Sequence, residues 1–403
     1  MTNIKSTQTN SEIIKLTKKY LAQTYGRFPI VLTKGKGTKV WDSSGKKYID
    51  FVAGLAVDNL GHCHPEIIKA IKDQAGKLIH VSNLYHIEAQ SLLARELCKH
   101  SFADKFFFCN SGTEANEAAI KLARRASFDK GYKNRGEIIT MKNSFHGRTL
   151  GSMAATGQNK IRHGFSPIPS GFKHVTFNNS EAARKAVTSK TCAILVEPIQ
   201  GEGGVNISNK NYLKDLKKIC IKNDLLLIFD EVQTGFGRTG NLFAYQTFEV
   251  KPDIIVLAKA LGGGIPIGAI GASNKVMKHF IPGTHAATFG GNPLSCAAAL
   301  ASLKILTSKG FLEHSKETGH YFKSCLENLK NKFPVIIDVR SRGMMLAATL
   351  KKPAAPVMID CMKKGYLINC VQQDTLRFIP PLIISKKEID GLIRTLSQSL
   401  KKL

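Results

Sequence analysis

The chain has 403 residues, with 58 Lys and Arg against 30 Asp and Glu, a formal net charge of +28. A hydrophobic share of 43% and a charged share of 22% are those of a globular protein, which excludes a disordered or fibrous chain. No apolar run approaches the roughly 18 residues that cross a bilayer, and the polar residues 1–10 lack the apolar stretch of a secretory signal. The expectation is a soluble, cytoplasmic protein with no membrane partner.

In residues 11–23, Ile13, Ile14, Leu16, Tyr20 and Leu21 fall at helical spacing and predict a short amphipathic arm. Residues 39–42 and 47–50 flank Ser43-Ser44-Gly45-Lys46 and read as strand, turn, strand. His62-Cys63-His64 offers metal-binding residue types, but Pro65 follows at once and no second cluster has matching spacing. A turn entering a helix is the preferred reading, and no metal is expected. Beyond about residue 61, short apolar runs at 105–109, 137–141, 193–196, 225–229 and 254–257 alternate with helical stretches such as 114–126 and 212–223. Continuous apolar strands between helices predict a parallel sheet covered on both faces. A helical stretch runs from about 300 to 330, strand-like pieces follow at 335–339 and 344–350, and a last helix starts after Ser385. The fold class is therefore α/β. A large, doubly wound, mostly parallel domain spans 61–300, and 1–60 and 301–403 form a smaller α+β domain.

The nine cysteines contain no Cys-x-x-Cys pair, so reduced thiols are expected rather than disulfides or a zinc ribbon. The positive charge suits a nucleic-acid binder. Against that, lysines such as Lys69, Lys121, Lys214, Lys304 and Lys363 are dispersed, and no basic block is interleaved with aromatics. No specific nucleic-acid partner is expected.

Ligands of such sheets sit beyond the carboxyl ends of strands, and three predicted strands end in candidate functional residues. After 105–109 comes Asn110-Ser111-Gly112-Thr113-Glu114, where Ser111 and Glu114 predict a capping box and the Gly112 and Thr113 N–H groups suit a phosphate. Taken alone, this reads rather as an ordinary capped helix. After 225–229 comes Asp230-Glu231-Val232-Gln233, an acid at the mouth of a buried site or a loop acid. After 254–257 comes Ala258-Lys259-Ala260-Leu261-Gly262-Gly263-Gly264. A lysine in that apolar, glycine-rich setting is unlike a solvated one, and desolvation makes it a nucleophile toward a carbonyl. Cradle, acid and lysine together are the parts that hold pyridoxal 5′-phosphate. Gly235-Phe236-Gly237-Arg238-Thr239-Gly240 fits the dinucleotide pattern G-x-G-x-x-G, but it does not directly follow its strand and opens no clear helix. A nicotinamide cofactor is not expected.

At this point the chain resembles the class III aminotransferases. The resemblance rests on Asn110 to Glu117 (NSGTEANE), Ser144 to Thr149 (SFHGRT), Glu197 to Gly204 (EPIQGEGG), Asp230 to Gly235 (DEVQTG) and Thr288 to Pro293 (TFGGNP), in order along nearly the whole chain. It implies a fold-type I transferase and a homodimer with shared active sites. Lys259 resembles the Schiff-base lysine and proton shuttle, Asp230 the partner of the pyridine nitrogen, and Gln233 the partner of the ring hydroxyl. Glu231 and Val232 belong to the same cofactor-binding stretch, and Phe145 resembles the aromatic packed on the ring. Gly112, Thr113 and a neighbouring subunit's Thr288 resemble the phosphate ligands. The resemblance is strongest to members acting on N2-acetylornithine, with 2-oxoglutarate as acceptor, and implies a place in arginine biosynthesis. Arg148, with Tyr25 close by, then corresponds to the residue gripping the carboxylate of acetylornithine. Arg377 corresponds to the one gripping the α-carboxylate of 2-oxoglutarate or glutamate, and Glu202 to the acid that pairs with it. Ala287 stands where the family often has serine, leaving only a backbone contact to substrate. The alternatives are a transaminase for succinyl-diaminopimelate, ornithine or 4-aminobutyrate, or a polyanion-binding protein on an inactive transferase fold.

Overall fold

The computed structural model describes residues 9–209 and 211–403; residues 1–8, part of the polar amino end, lie outside the description. The predicted arm is the helix Asn10–Tyr20, capped reciprocally by Thr9 and Glu12, and none of its residues is buried. Strands β1 (Leu32–Lys36), β2 (Lys39–Asp42) and β3 (Lys47–Asp50) form an antiparallel meander. Its second turn is closed by Asp42 Oδ1, which accepts the N–H groups of Ser44 and Lys46, each at 3.0 Å.

Next come β4 (Lys105–Cys109), β5 (Glu137–Met141), β6 (Phe172–Val175) and β7 (Thr191–Val196), then a two-residue hairpin of β8 (Ile199–Gln200) and β9 (Asn206–Ile207). After it come β10 (Leu226–Asp230), β11 (Ile254–Leu257) and β12 (Gly268–Ala272). Seven of these strands form one sheet in the order β4-β12-β11-β10-β7-β5-β6. Side-chain alternation sorts the sheet between two layers. Ala193, Leu195, Ile228, Ile254 and Val256 pack with the alanine-rich face of helix Gly112–Asp129. Ile194, Val196, Leu227 and Phe229 pack with helix Tyr212–Lys222 on the other side. Burial on both faces is why these strands read as unbroken apolar runs.

The exception in direction is β12, antiparallel to both β11 and β4. Gly268-Ala269-Ile270-Gly271-Ala272 carries no run of large or β-branched residues, so periodicity does not mark it as a strand. The reason is steric: a Cβ at Gly268 would collide with the Ser111 carbonyl, and one at Gly271 with the Phe106 ring.

A second four-stranded sheet is antiparallel throughout, with β13 (Ile336–Arg342), β14 (Met345–Leu350), β16 (Asn369–Val371) and β17 (Thr375–Phe378) in the order β13-β14-β17-β16. Strand β15 (Tyr366–Leu367) pairs in parallel with β3, so the two chain ends share a sheet. The helical stretch expected from 300 to 330 is two helices, Pro293–Leu306 and Phe311–Lys332. They are separated at Gly310, whose φ of +83° suits glycine. The last helix, Lys386–Leu400, starts from a complete capping box of Ser385 and Glu388. Among the described residues no helix is long and apolar enough to cross a membrane, and no group of His, Cys, Asp and Glu could hold a metal ion.

Candidate active site

Strand β12 apart, all strands of the large sheet run the same way, so the carboxyl ends of β4, β10 and β11 emerge along one edge. A cavity of about 450 Å³ lies there, lined by Gly112, Thr113, Phe145, Asp230, Val232 and Lys259 among others. Each predicted strand-end motif reaches it.

Helix Gly112–Asp129 begins at the cavity. Ser111 Oγ accepts the Glu114 N–H at 3.3 Å, but Glu114 turns to the Asn110 N–H at 2.5 Å, so the expected capping box is only half formed. The first turn leaves the Gly112 and Thr113 N–H groups without intrahelical acceptors. A side chain at position 112 would meet Val232 Cγ1 at 2.8 Å, so only glycine keeps this approach open. The Thr113 hydroxyl is engaged with Ser152 Oγ at 2.6 Å and accepts the Arg148 N–H at 3.1 Å, tying the 147–152 loop to the helix start.

Asp230 ends β10 and is buried. Its Oδ2 accepts from Asn116 Nδ2 at 2.8 Å and faces His146 Nδ1 at 2.7 Å, while Oδ1 accepts the Val232 N–H at 3.0 Å. Glu197, just past β7, also lines the cavity and accepts the Phe145 N–H at 3.0 Å. Burial, with Asp230 adding to it, pushes the Glu197 carboxyl up to about 7.

Lys259 follows β11 in a left-handed conformation, φ +48°, and opens a short 3₁₀ turn through Leu261. Burial holds its pKa below the ordinary lysine value, an effect that Glu202 and Asp230 oppose and Arg377 reinforces. Glu202 receives Arg377 Nη1 at 2.6 Å and Gln233 Nε2 at 3.3 Å. Arg377, on β17, is 1% exposed and also donates to Asn369 Oδ1 at 2.9 Å. Burial alone would raise the Glu202 carboxyl, but Arg377 and then Lys259 outweigh it and the net shift is downward. Gly201 is what lets Gln233 sit there, since a Cβ at 201 would collide with its amide oxygen.

The sequence profile of the family described as aminotransferase class-III matches residues 20–400. This chain is a class III aminotransferase. The acetylornithine aminotransferase of Caldanaerobacter subterraneus subsp. tengcongensis is 52% identical over 392 residues, covering 97% of this chain and 100% of that protein. The acetylornithine aminotransferase of Methanocaldococcus jannaschii is 50% identical, covering 96% and 97%. Among solved structures, the ornithine aminotransferase of Toxoplasma gondii ME49 superposes with a TM-score of 0.94 at 33% identity, covering 98% of this chain and 96% of that one. The acetylornithine aminotransferase of Elizabethkingia anophelis gives 0.88 at 33% identity, covering 98% and 100%.

The cofactor of this aminotransferase is pyridoxal 5′-phosphate. The cavity suits it: unpaired helix N–H groups behind a glycine that admits no side chain, an aromatic wall at Phe145, a buried carboxylate and a desolvated lysine. Five expected site residues do not line this cavity; one of them, Arg377, stands behind Glu202. The Glu231 side chain turns away from the cavity and caps helix Ala244–Phe248, accepting the Tyr245 N–H at 2.8 Å and the Ala244 N–H. Burial pushes it up to about 8. Thr288 is exposed and Ala287 half-buried on a loop that does not line this cavity. Tyr25 is 72% exposed and lines a different cavity of about 720 Å³, with Arg27 over its ring. Arg148 does line the site, its guanidinium 5.7 Å from the Phe145 ring centre. Asn116, His146 and Glu197 were not singled out by the sequence reading, because a polar residue inside a motif does not reveal which neighbour it faces. The nucleotide-like glycine motif buries Arg238 instead, which donates to the carbonyls of Met344 and Pro380 at 2.9 and 2.6 Å and to Asn59.

Proposed function

We propose that this aminotransferase moves the δ-amino group of N2-acetylornithine to 2-oxoglutarate, giving N-acetylglutamate 5-semialdehyde and glutamate, as a step of arginine biosynthesis in the cytoplasm. The observation that carries the reading is the buried Arg377 held by Glu202. An enzyme that must accept an amine lacking a carboxylate near the reacting carbon, and then an α-keto acid bearing one, needs a cation that can be both neutralised and released. Glu202, 30% exposed in its side chain, is the removable counter-ion. A guanidinium freed by it binds both oxygens of an α-carboxylate.

When bound, the cofactor supplies a reactive carbonyl carbon and a ring that accepts electrons. Gly112 and Thr113 would hold its phosphate through backbone N–H groups, Phe145 and Val232 would line the space for its ring, and Gln233 would serve the ring hydroxyl. Asp230 would hold a proton on the ring nitrogen, and Asn116 and His146 fix that carboxylate. Lys259 Nζ, its grip on a proton weakened by burial, would take one from the donor carbon that loses its amino group and, in the second half-reaction, would deliver one to the 2-oxoglutarate carbon that gains it. Arg148, exposed beside Phe145, receives the distal carboxylate of the acylated donor.

The reading includes a homodimer, supported by Thr288 lying outside its own cavity and by exposed Leu84, Tyr85 and Phe289. In it, Thr288 completes the neighbouring chain's phosphate site. Sedimentation of an active monomer at assay concentration would refute this. The substrate reading is tested by kcat/KM for acetylornithine, succinyl-diaminopimelate, ornithine and 4-aminobutyrate with 2-oxoglutarate. Acetylornithine is expected to lead, and a higher value for ornithine would overturn the assignment.

A further inference from the structure

A cleft of about 610 Å³, separate from the lysine cavity, is bounded by the outer part of helix Gly112–Asp129, the following turn and the 280–284 loop. Lys121, Arg124, Arg125, Lys133 and Arg135 line it, and no Asp or Glu does. Two carboxylates outside the lining reach cleft arginines, and each is shared with a second basic side chain. Asp129 pairs with Arg125 at 2.8 Å and with His279, and Asp224 pairs with Lys130 at 2.6 Å and stands 4.0 Å from Arg135. Lys121, Arg124 and Lys133 have no carboxylate partner among the described residues.

Two of the guanidinium groups are held in place by neutral groups. Arg124 Nε donates to the Gly136 carbonyl at 2.9 Å and its guanidinium lies 5.2 Å from the Phe172 ring centre. Arg135 Nε donates to the Thr191 carbonyl at 2.5 Å, and its guanidinium lies 4.7 Å from the Tyr132 ring centre. Such contacts fix the planar fork without cancelling its charge, although Arg135 also stands 4.0 Å from Asp224, which is shared with Lys130. Lys121 Nζ donates to His285 Nδ1 at 2.7 Å, and burial followed by the Lys121 charge holds His285 below its ordinary pKa, so that partner brings no negative charge.

We infer that this cleft is a binding site for a small polyphosphate, a ligand whose several anionic groups engage the fixed arginines and the unpaired lysines at once. Linked phosphates can engage the cations of the helix and of the following turn at once, and guanidinium suits each of them. The source is either inorganic polyphosphate or the phosphate tail of a nucleotide.

The test is isothermal titration of the cofactor-loaded enzyme, whose other phosphate site is then filled, with tripolyphosphate and separately with ATP at near-physiological salt. Saturable binding at one site per chain is expected. Lys121→Ala/Lys133→Ala should raise Kd roughly tenfold or more, while the control Lys387→Ala/Lys401→Ala, which removes the same charge from exposed positions elsewhere, should leave it unchanged. Lys133→Ala alone, at an exposed side chain without a hydrogen bond, should give a few-fold loss and guards against a folding defect in the double variant. Tighter binding of ATP would assign the nucleotide as source, and equal binding the phosphate chain. Absence of saturable binding, or equal weakening in cleft and control variants, would show the charge to be unspecific and overturn the inference.

Discussion

Asp230 and Glu202 line the same cavity and each faces a nitrogen base, yet they are built in opposite ways. Asp230 is 3% exposed and is held by three donors from three segments: a side-chain amide, an imidazole and a backbone N–H. Glu202 is 30% exposed, and its carboxylate has two side-chain donors, Arg377 and Gln233. Moving Asp230 would leave several buried donors unpaired, which is expensive. Moving Glu202 exposes one guanidinium to whatever carboxylate replaces it. One end of the site is therefore a fixed charge and the other an exchangeable one, which suits a reaction whose chemistry is constant while its two substrates differ.

The comparison can be broken at several points. Lys259→Ala removes the amine on which both acids act, and turnover should fall by about 10⁴-fold or more in both half-reactions. Reduction of the wild-type holoenzyme with borohydride should place the cofactor adduct on Lys259 by peptide mapping; an adduct on another lysine would refute the assignment. Asp230→Asn keeps the side-chain shape and removes the charge. Loss of roughly 10²–10⁴-fold is expected, equal in both half-reactions, because this end serves both substrates. Arg377→Ala should instead act unequally. The half-reaction with 2-oxoglutarate should lose about 2–5 kcal/mol, roughly 30-fold or more in kcat/KM, and the half-reaction with acetylornithine clearly less. Single-turnover absorbance measures each half, and equal losses would contradict the idea of an exchangeable end. Glu202→Gln should then shift the preference toward donors with an α-carboxylate, such as glutamate, by about three- to tenfold, read as a ratio of kcat/KM values.

The smallest effect on activity is expected at Glu231, which shares neither role. Its carboxyl is raised from 4.5 to about 8, so the folded chain binds a proton there that the unfolded chain releases between those values. This contribution to stability is present below pH 4.5 and is lost as pH rises through about 8. Glu231→Gln keeps an acceptor for the Tyr245 N–H and removes the titration. Urea unfolding at about pH 5 and about pH 9 should show the variant gaining on wild type by on the order of 2–4 kcal/mol at the higher pH. A difference independent of pH would mean that Glu231 is not protonated in the fold.

Much of this was legible in the sequence because burial on both faces leaves an unmistakable trace. Strands β4, β5 and β11 fall on the residues expected, and β10 is displaced by one, since Asp230 still pairs within the sheet. Strand β12 was hidden because close packing selected glycine and alanine, which periodicity reads as loop. Lys259, Asp230 and Gly112 could be found because each follows or ends an apolar run. The partners that tune them could not, since Asn116 lies 114 residues from Asp230 and His146 lies 84. Glu231 misled for the opposite reason: adjacent residues at a strand end point to opposite sides.

Strand β12 also acts as a ruler. Because it lies between β4 and β11, those two strands are two spacings apart, about 10 Å, whereas β10, which ends in Asp230, is one spacing, about 5 Å, from β11. These intervals are set by main-chain hydrogen bonds, which every amino acid except proline supplies alike. Point substitutions around the cavity can change which molecule is recognised while the spacing of the strands that end there stays the same. Divergence of substrate choice within such a scaffold is thus decoupled from the dimension the chemistry depends on, and only inserting or deleting a whole strand would alter it.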